Sequence, residues 1–391
     1  MKKMLIVSDI AFLPVERGNQ ELIYENIKLF NRLSVEVDFL YVSSSLNEKS
    51  KMMMKYLGID HFFWFNSCNV RKKIGVREWV RIYIKKRGLA NRIVIPYTVD
   101  ELYPEGLSKE VCSLYEKYNY DIIWLEYVYF SKALLYLGDK VVKVIETHDK
   151  NAGRGKEFVK NKLAPTGFYT TFFGEKKGLR RADVVVAIQK EEERYFSKML
   201  RAYKKIKVVT YRGNLDCKRS DLPQTKTVCF IGSSYSLNVY ALKWFLENVW
   251  CIIQERESDA KLYIVGGICE ELIESKQYYK LGIVDDLDKI YASMRVIINP
   301  IQGGNGMNIK MVEAIAHLKP IVTTTRGARG IYSKEELFKC ADKPEDFAEA
   351  VIELLLDDWQ CENLANNCAK FIVSNNEENE KNLREIIGLE N

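Results

Sequence analysis

Short apolar runs rich in Val, Ile and Tyr alternate along this chain with longer segments whose apolar residues recur every three or four positions. That is the pattern of strand–helix–strand units with a parallel sheet. In the first half, strands are predicted at Met4 to Ser8, Val35 to Val42, Asp121 to Glu126, Val141 to Glu146 and Val184 to Ala187. Helices are predicted between them at Glu21 to Leu33, Lys109 to Tyr118 and Gly174 to Arg181. In the second half, strands at Thr227 to Ile231, Lys261 to Val265, Val296 to Asn299 and Ile321 to Thr324 enclose helices at Asn238 to Gln254, Asp286 to Met294 and Asn308 to Ala316. The same kind of unit is built twice. Between the halves, Arg212 to Asp216 and Ser220 to Gln224 are polar and turn-rich just before a fresh strand, where a domain boundary belongs. The pattern therefore predicts an α/β protein of two Rossmann-like doubly wound domains facing across a cleft. The expected parts are 1–210, a hinge at 211–225, 226–370, and a segment 371–391 whose last short helix, after the polar run Ser374 to Lys381, packs back on the first domain.

Composition fits that plan. A chain of 391 residues exceeds the size at which one hydrophobic core usually stops growing. With 47% hydrophobic and 29% charged residues, and only 8 Pro, most of it is expected to fold. The apolar run after Met1-Lys2-Lys3 ends at Asp9, too short for a signal peptide, and no stretch reaches the roughly 20 apolar residues that span a bilayer. The expected location is cytoplasmic. Nine cysteines without C-x-x-C spacing indicate neither a disulfide framework nor a zinc site, and read as small buried hydrophobes in a reducing compartment. A net charge of +6 does not by itself suggest nucleic acid, and none is expected as a partner.

The densest chemistry follows the run Val296 to Asn299. Pro300 to Asn308 contains Gly303, Gly304 and Gly306 and leads into the apolar-periodic helix of Ile309, Lys310, Met311, Val312, Glu313 and Ala314. Glycines before a helix start let the backbone approach a ligand closely, and the unpaired N–H groups of the first turn favour a phosphate. A diphosphate would sit on Met307, Asn308, Ile309 and Lys310. Lys310 is poorly placed for the helix dipole but well placed for a bound anion, and Glu313, one turn on, points toward a group beyond the phosphates such as ribose hydroxyls. The other reading is a tight turn with Lys310 and Glu313 paired on a solvated face. A dinucleotide fingerprint is disfavoured, because Ile309 holds the place of its later glycine.

From Leu281 to Pro300 the chain reads LGIVDDLDKIYASMRVIINP, and from Lys310 to Thr324 KMVEAIAHLKPIVTT, followed by Gly327-Ala328-Arg329-Gly330. With Phe230-Ile231-Gly232-Ser233 and Val265-Gly266-Gly267, these runs resemble the family 4 retaining glycosyltransferases of the GT-B fold, the group 1 type, over about residues 227 to 330. Arg17-Gly18-Asn19, Thr147-His148-Asp149 and Arg181-Ala182-Asp183 extend the likeness more loosely into the first half. The resemblance implies transfer of a sugar from a nucleoside diphosphate donor with retention, without a metal ion or bound cofactor. It places the donor in the second domain and the acceptor in the first. By position, Glu313 corresponds to the ribose-binding glutamate and the turn from Gly304 through Asn305 and Gly306 to Lys310 to the diphosphate loop. His148 looks like the histidine near the transferred sugar, and Gly18 like a glycine of the loop after the first strand. Gly232 ends the strand after which the family binds the diphosphate and is expected on the donor side, and backbone from Gly282 to Asp285, with Val284, is expected to shape base selection. Two places depart from the pattern. Asn305 stands where many members carry a second glutamate, and Ser233 to Asn238 replaces an Arg and Lys pair, so Lys310 is expected to supply the missing charge.

Of the three histidines, His61 lies in an apolar stretch and reads as structural, while His317 suits the negative end of its helix. His148 fits either a satisfied core position or, with the family match, a sugar-facing role. Asp286-Leu287-Asp288 resembles a metal-binding D-x-D, but helix capping explains it more simply, and no metal site is expected. Residues 71–92 carry Arg71-Lys72-Lys73, Arg77, Arg81, Lys85-Lys86-Arg87 and Arg92, interleaved with Trp79 and Tyr83. This segment reads as a basic amphipathic helix able to rest on an anionic membrane surface, or as a solvated helix packed on its own domain. The expected function is a hexosyltransferase-type enzyme acting on a saccharide or polyprenyl-linked acceptor in surface polysaccharide synthesis, peripheral on the inner face of the membrane. A nucleotide-sugar epimerase of the same fold and a non-catalytic sugar-nucleotide-binding protein are the alternatives.

Overall fold

The structure, a computed structural model of the chain, describes residues 1–15, 18–69, 75–160, 162, 164–201, 205–210, 221–303 and 307–389. It divides into two compact units, Met1–Thr210 with Asn379–Asn391, and Tyr211–Glu378.

The first unit is built on a sheet of β1 (Lys2–Ser8), β2 (Val35–Ser43), β3 (His61–Asn66), β4 (Ile122–Glu126), β5 (Val142–Glu146), β6 (Val184–Ala187) and β7 (Lys205–Val208). Its strand order is β3-β2-β1-β4-β5-β6-β7, parallel throughout, with the order reversing between β1 and β4. Helices α1 (Gly18–Arg32), α2 (Glu48–Met54), α3 (Val76–Lys86), α4 (Leu107–Tyr118), α5 (Arg154–Lys160), α6 (Phe172–Leu179) and α7 (Lys190–Leu200) connect the strands. A parallel sheet covered on both faces needs strands apolar on both sides. β1 shows the rule: Met4 and Ile6 enter the core that holds Phe30 and Trp124, while Leu5 and Val7 enter the opposite one with Leu125 and Val185.

The second unit holds β8 (Thr227–Ile231), β9 (Lys261–Val265), β10 (Tyr279–Gly282), β11 (Val296–Asn299), β12 (Ile321–Thr323) and β13 (Lys339–Cys340). Its order, β10-β9-β8-β11-β12-β13, repeats the same topology, again all parallel. Its helices are α8 (Ser236–Asn248), α9 (Trp250–Arg256), α10 (Leu287–Ser293), α11 (Ile309–Ala316) and α12 (Pro344–Leu356), followed by α13 (Asp358–Ile387). Both sheets thus have a switch point, the place where ligands bind in doubly wound folds.

Three expectations change. The single helix expected from Asn238 to Gln254 is two, because Val249 leaves helical register at φ −114°. Fully buried Trp250, whose Nε1 donates to Gln277 O at 3.0 Å, sets the direction of the second piece. The C-terminal segment is not a short helix after a polar run: α13 continues for 30 residues, as nothing from Asp358 to Ile387 is a proline or glycine to stop it. From Asn379 it joins the first unit, with Leu383, Ile386 and Ile387 in that core and Asn379 bonded to Thr210. Of the cysteines, Cys229, Cys269, Cys361 and Cys368 are buried, but Cys68, Cys251 and Cys340 are exposed, lying on half-solvated elements at the surface.

Candidate functional site

The second unit's site forms around the ends of β8 and β11. Gly304, Asn305 and Gly306 lie outside the described residues, so the turn is seen from its flanks. Asn308 takes the N-cap position of α11 in extended conformation, yet its side chain does not cap the helix. Its Nδ2 donates instead to Gly327 O at 3.0 Å, so Asn308 offers the first amides of α11 no side-chain acceptor. Gly327 is held there by Asn299, whose Nδ2 donates to Gly327 O at 3.1 Å and to Thr323 Oγ1 at 3.2 Å. A Cβ on Gly327 would meet Thr323 Oγ1 at 2.3 Å and Asn299 Nδ2 at 2.6 Å, so this backbone approach admits no side chain. Met307 is buried against the core, and Ile309 is half-buried.

Lys310 and Glu313 do not pair on a solvated face. Lys310 Nζ donates to Asn238 Oδ1 at 3.0 Å and sits 4.4 Å from the centroid of the Phe230 ring. Asn238 in turn donates to Ser233 O at 3.1 Å, so α11 and the turn after β8 are tied together at the cation. Burial lowers the Lys310 pKa to about 7, with nearby Glu313 opposing the shift. Glu313, half-buried, accepts from Tyr291 Oη at 3.2 Å. Lys310 therefore stands beside the Ser233 to Asn238 stretch that lacks the Arg and Lys pair. Gly232 follows β8, and Gly266, at φ +97°, packs on it so closely that a Cβ would fall 2.4 Å from Gly232 O. Val284 lies half-buried in the loop between β10 and α10. Asp286 caps α10 through Lys289 N at 3.2 Å, and Asp288 meets His317 Nε2 at 2.8 Å, so both aspartates have structural partners. His317 also bonds Glu313 O through Nδ1 at 2.7 Å, at the end of α11.

The first unit gathers a second constellation at the ends of β1, β4 and β5. Gly18 opens α1, and Asn19 beside it donates to Tyr127 Oη at 3.0 Å. His148, two residues past β5, has φ +52° and stacks on the Tyr127 ring at 4.5 Å, while Tyr127, just past β4, has φ +74°. Two adjacent non-glycine residues in the left-handed region store strain, which concentrates at functional sites. His148 Nε2 forms a short contact with Glu126 Oε2, and Glu146 accepts from Trp124 Nε1 at 3.0 Å and Asn26 Nδ2 at 3.1 Å. Burial raises the pKa of Glu126 to about 8 and lowers that of His148. Tyr129 Oη donates to Asp9 at 2.8 Å, and burial raises the Asp9 pKa. The backbone after His148 is clamped by carboxylates, with Glu175 accepting from Asn151 N at 2.6 Å and Glu192 from Lys150 N at 3.1 Å.

Glu126, Glu146 and His148 each offer a ligand atom, all within 4.8 Å of one another, a donor set with the reach of a cation site. Glu146 accepts from Trp124 and Asn26, while Glu126 Oε2 and His148 Nε2 are joined to each other, an arrangement in which a proton can be shared. The sequence reading did not single out Glu126, Glu146, Asp9 or Tyr127. A carboxylate ending each of the apolar runs IIWLE and VKVIE was the available signal. His61 is structural, its Nδ1 lying 2.9 Å from Asp38 Oδ1.

In the basic segment, Arg71-Lys72-Lys73 lie outside the described residues. α3 exposes Val76, Trp79, Ile82 and Tyr83 and buries Ile84. Arg81 is a correction: it turns inward over the Tyr97 ring at 4.0 Å and pairs with Glu78 and Glu101, so its charge is spent within the unit. Among the described residues, no helix is long and apolar enough to cross a membrane.

Two all-parallel doubly wound units, with a helix-terminus cradle at the second switch point, define a protein of the GT-B glycosyltransferase fold. Residues 225–357 match the family Glycosyl transferases group 1. TarM of S. aureus, solved as a variant with fondaparinux, α-GlcNAc-glycerol and UDP, superposes with a TM-score of 0.67 at 12% identity, covering 99% of this chain and 100% of that one. HepE of Anabaena, with UDP and glucose, gives 0.65 at 13% identity over 99% and 100%. The pneumococcal O-GlcNAc transferase GtfA, with UDP and GlcNAc, gives 0.68 at 9% identity over 99% and 99%. Among curated proteins, a 44.6 kDa protein of the cps region of Klebsiella pneumoniae is 26% identical over 162 residues, 38% of this chain; the match spans 42% of that relative's length.

Proposed function

We propose that this protein is a retaining, metal-independent glycosyltransferase that moves a sugar from a nucleoside diphosphate donor to a saccharide or lipid-linked acceptor in surface polysaccharide synthesis. The carrying observation is that Lys310, half-buried in the first turn of α11 and bonded to Asn238, stands beside an N-cap residue, Asn308, whose side chain does not cap the helix, with Glu313 one turn further. Helix amides and Lys310 are suited to the diphosphate, and Glu313 to the ribose hydroxyls. Gly232, Gly304 to Ile309 and Val284 complete the donor side in this reading. His148 faces the transferred sugar. The chemistry then rests on holding the reactants and stabilising charge on the departing diphosphate, with the leaving phosphate accepting the proton.

UDP is the first nucleotide to test, because TarM, HepE and GtfA were each solved with it. The cps-region relative supports a capsule-type acceptor. The exposed Trp79 and Tyr83 on α3, with Lys85, Lys86 and Arg87, support a peripheral position on an anionic membrane surface, where a polyprenyl-linked acceptor resides. A thermal-shift panel of UDP, GDP, ADP and CMP with their sugars should give one responding nucleotide, since a ligand of the folded state raises the melting temperature. In Glu313→Ala that nucleotide should bind roughly 10- to 100-fold more weakly, the loss of hydrogen bonds to a charged group. Transfer should persist in chelator. A flat panel, or unchanged affinity in Glu313→Ala, sinks the reading. Donor altered without acceptor would instead identify an epimerase.

A further inference from the structure

Glu126, Glu146 and His148 form a buried trio whose proton content follows from its geometry. Two ionised carboxylates this close in a buried site repel strongly, so a proton beyond those of a neutral imidazole is retained by the set. Glu146 is the better anion, because Trp124 Nε1 and Asn26 Nδ2 both donate to it. The retained proton therefore lies in the short contact between Glu126 Oε2 and His148 Nε2. It has two resting places. On Glu126, it is donated to Nε2, and a neutral imidazole accepting at Nε2 must carry its hydrogen on Nδ1. On Nε2, the ring is an imidazolium and Nδ1 is again protonated. Only loss of the proton reverses this, since Nε2–H must then donate to ionised Glu126 and Nδ1 becomes an acceptor. His148 Nδ1 is buried and, among the described residues, has no hydrogen-bond partner. The ring is held in place by Tyr127 stacked on it at 4.5 Å.

We infer that Glu126 is a positioning residue that fixes the tautomer of His148: the two share one proton, Glu146 stays anionic, and Nδ1 offers its hydrogen to an oxygen of the bound sugar. The inference rests on the proposed function only for what lies opposite Nδ1. Among the described residues, the other charged groups acting on the ring are Asp9 and Asp149, the latter paired with Arg154 at 3.3 Å; the phenol ring of Tyr127 stacks on it and that of Tyr129 on Tyr127. Burial raises both carboxyls to about 8 and lowers the His148 pKa; part of the rise at Glu146 comes from charge on Glu126, so a proton held at Glu126 leaves Glu146 the anion.

The test is long-range proton–nitrogen NMR of the 15N-histidine-labelled full chain, where the three histidines are separated by the loss of one set in His148→Gln. At about pH 7, His148 should show a protonated-type Nδ1 and an unprotonated-type Nε2, the two exchanging character as the pH passes about 8. In Glu126→Gln, whose amide donates to Nε2 without titrating, the Nδ1–H form should persist at both pH values. An Nε2–H tautomer at pH 7, or the same pH response in Glu126→Gln, overturns the inference. If that variant does not fold, the wild-type titration decides alone. The nucleotide sugar should shift the Nδ1 signal; bound donor that leaves it unmoved removes the offered hydrogen. A donor that does not bind counts against the proposed function and leaves the tautomer result standing.

Discussion

The cradle of the second unit and the buried trio of the first both lie at strand ends beside a reversal of strand order, but they are made in opposite ways. The cradle is one stretch of chain, from Gly303 through Glu313 to Gly327, and its working parts are backbone, a helix terminus and two side chains one turn apart. The trio draws on β4 and β5 with donors from α1, and its partners Asn26 and Glu146 are 120 residues apart in sequence. A site made mostly of main chain is sensitive to small changes of shape. One made of distant side chains is sensitive to charge and to the packing that brings them together.

That difference orders the tests. Gly327→Ala forces a Cβ to within 2.3 Å of Thr323 Oγ1 and 2.7 Å of Asn299 O, and should destabilise the second unit by roughly 3 kcal/mol, the upper end for overpacking. A clear fall in melting temperature with loss of nucleotide binding is expected; an unchanged melting curve would mean that the cradle's backbone yields. Asn26→Ala removes a donor from a buried carboxylate and should cost about 2 kcal/mol. The loss should persist from about pH 8.5 down to pH 6, because Glu146 is the carboxylate that keeps its charge while Glu126 and His148 share the proton. A loss that fades at pH 6 would put the proton on Glu146 instead.

Lys310 gives a smaller, graded effect. Its folded pKa of about 7 lies below the ordinary 10.5, so the free protein holds it largely neutral above pH 7, and a bound diphosphate should restore its proton. Nucleotide affinity should fall by up to about tenfold per pH unit above that value, and the slope should vanish in Lys310→Met. The sign for stability is the reverse: the burial penalty grows as pH falls from 10.5 toward 7, so unliganded Lys310→Met should melt higher than the parent at neutral pH. Isothermal titration over pH 6.5 to 9 checks the first statement and scanning calorimetry the second. The smallest effect belongs to α3: Lys85→Gln should weaken sedimentation with phosphatidylserine vesicles by about 1 kcal/mol, and Arg81→Gln, already paired inward, should not do so through charge.

What the sequence determined by itself follows from burial on two faces. β1, β4, β6, β8, β9, β11 and β12 are continuous apolar runs because each lies inside a sheet covered on both sides, and all are recognisable from composition alone. The strands left unassigned, β3, β7, β10 and β13, are the edges of the two sheets, half-exposed or very short, where pairing with one neighbour imposes little on residue type. The cradle was legible for a similar reason: glycines, a helix start and a lysine and glutamate one turn apart are local relations. Only the tertiary structure decided that Lys310 packs over Phe230 and bonds Asn238, that Arg81 folds inward, and that Glu126 and Glu146 close on His148. Those outcomes depend on the low dielectric and fixed distances that packing creates, and neither can be read from the order of residues.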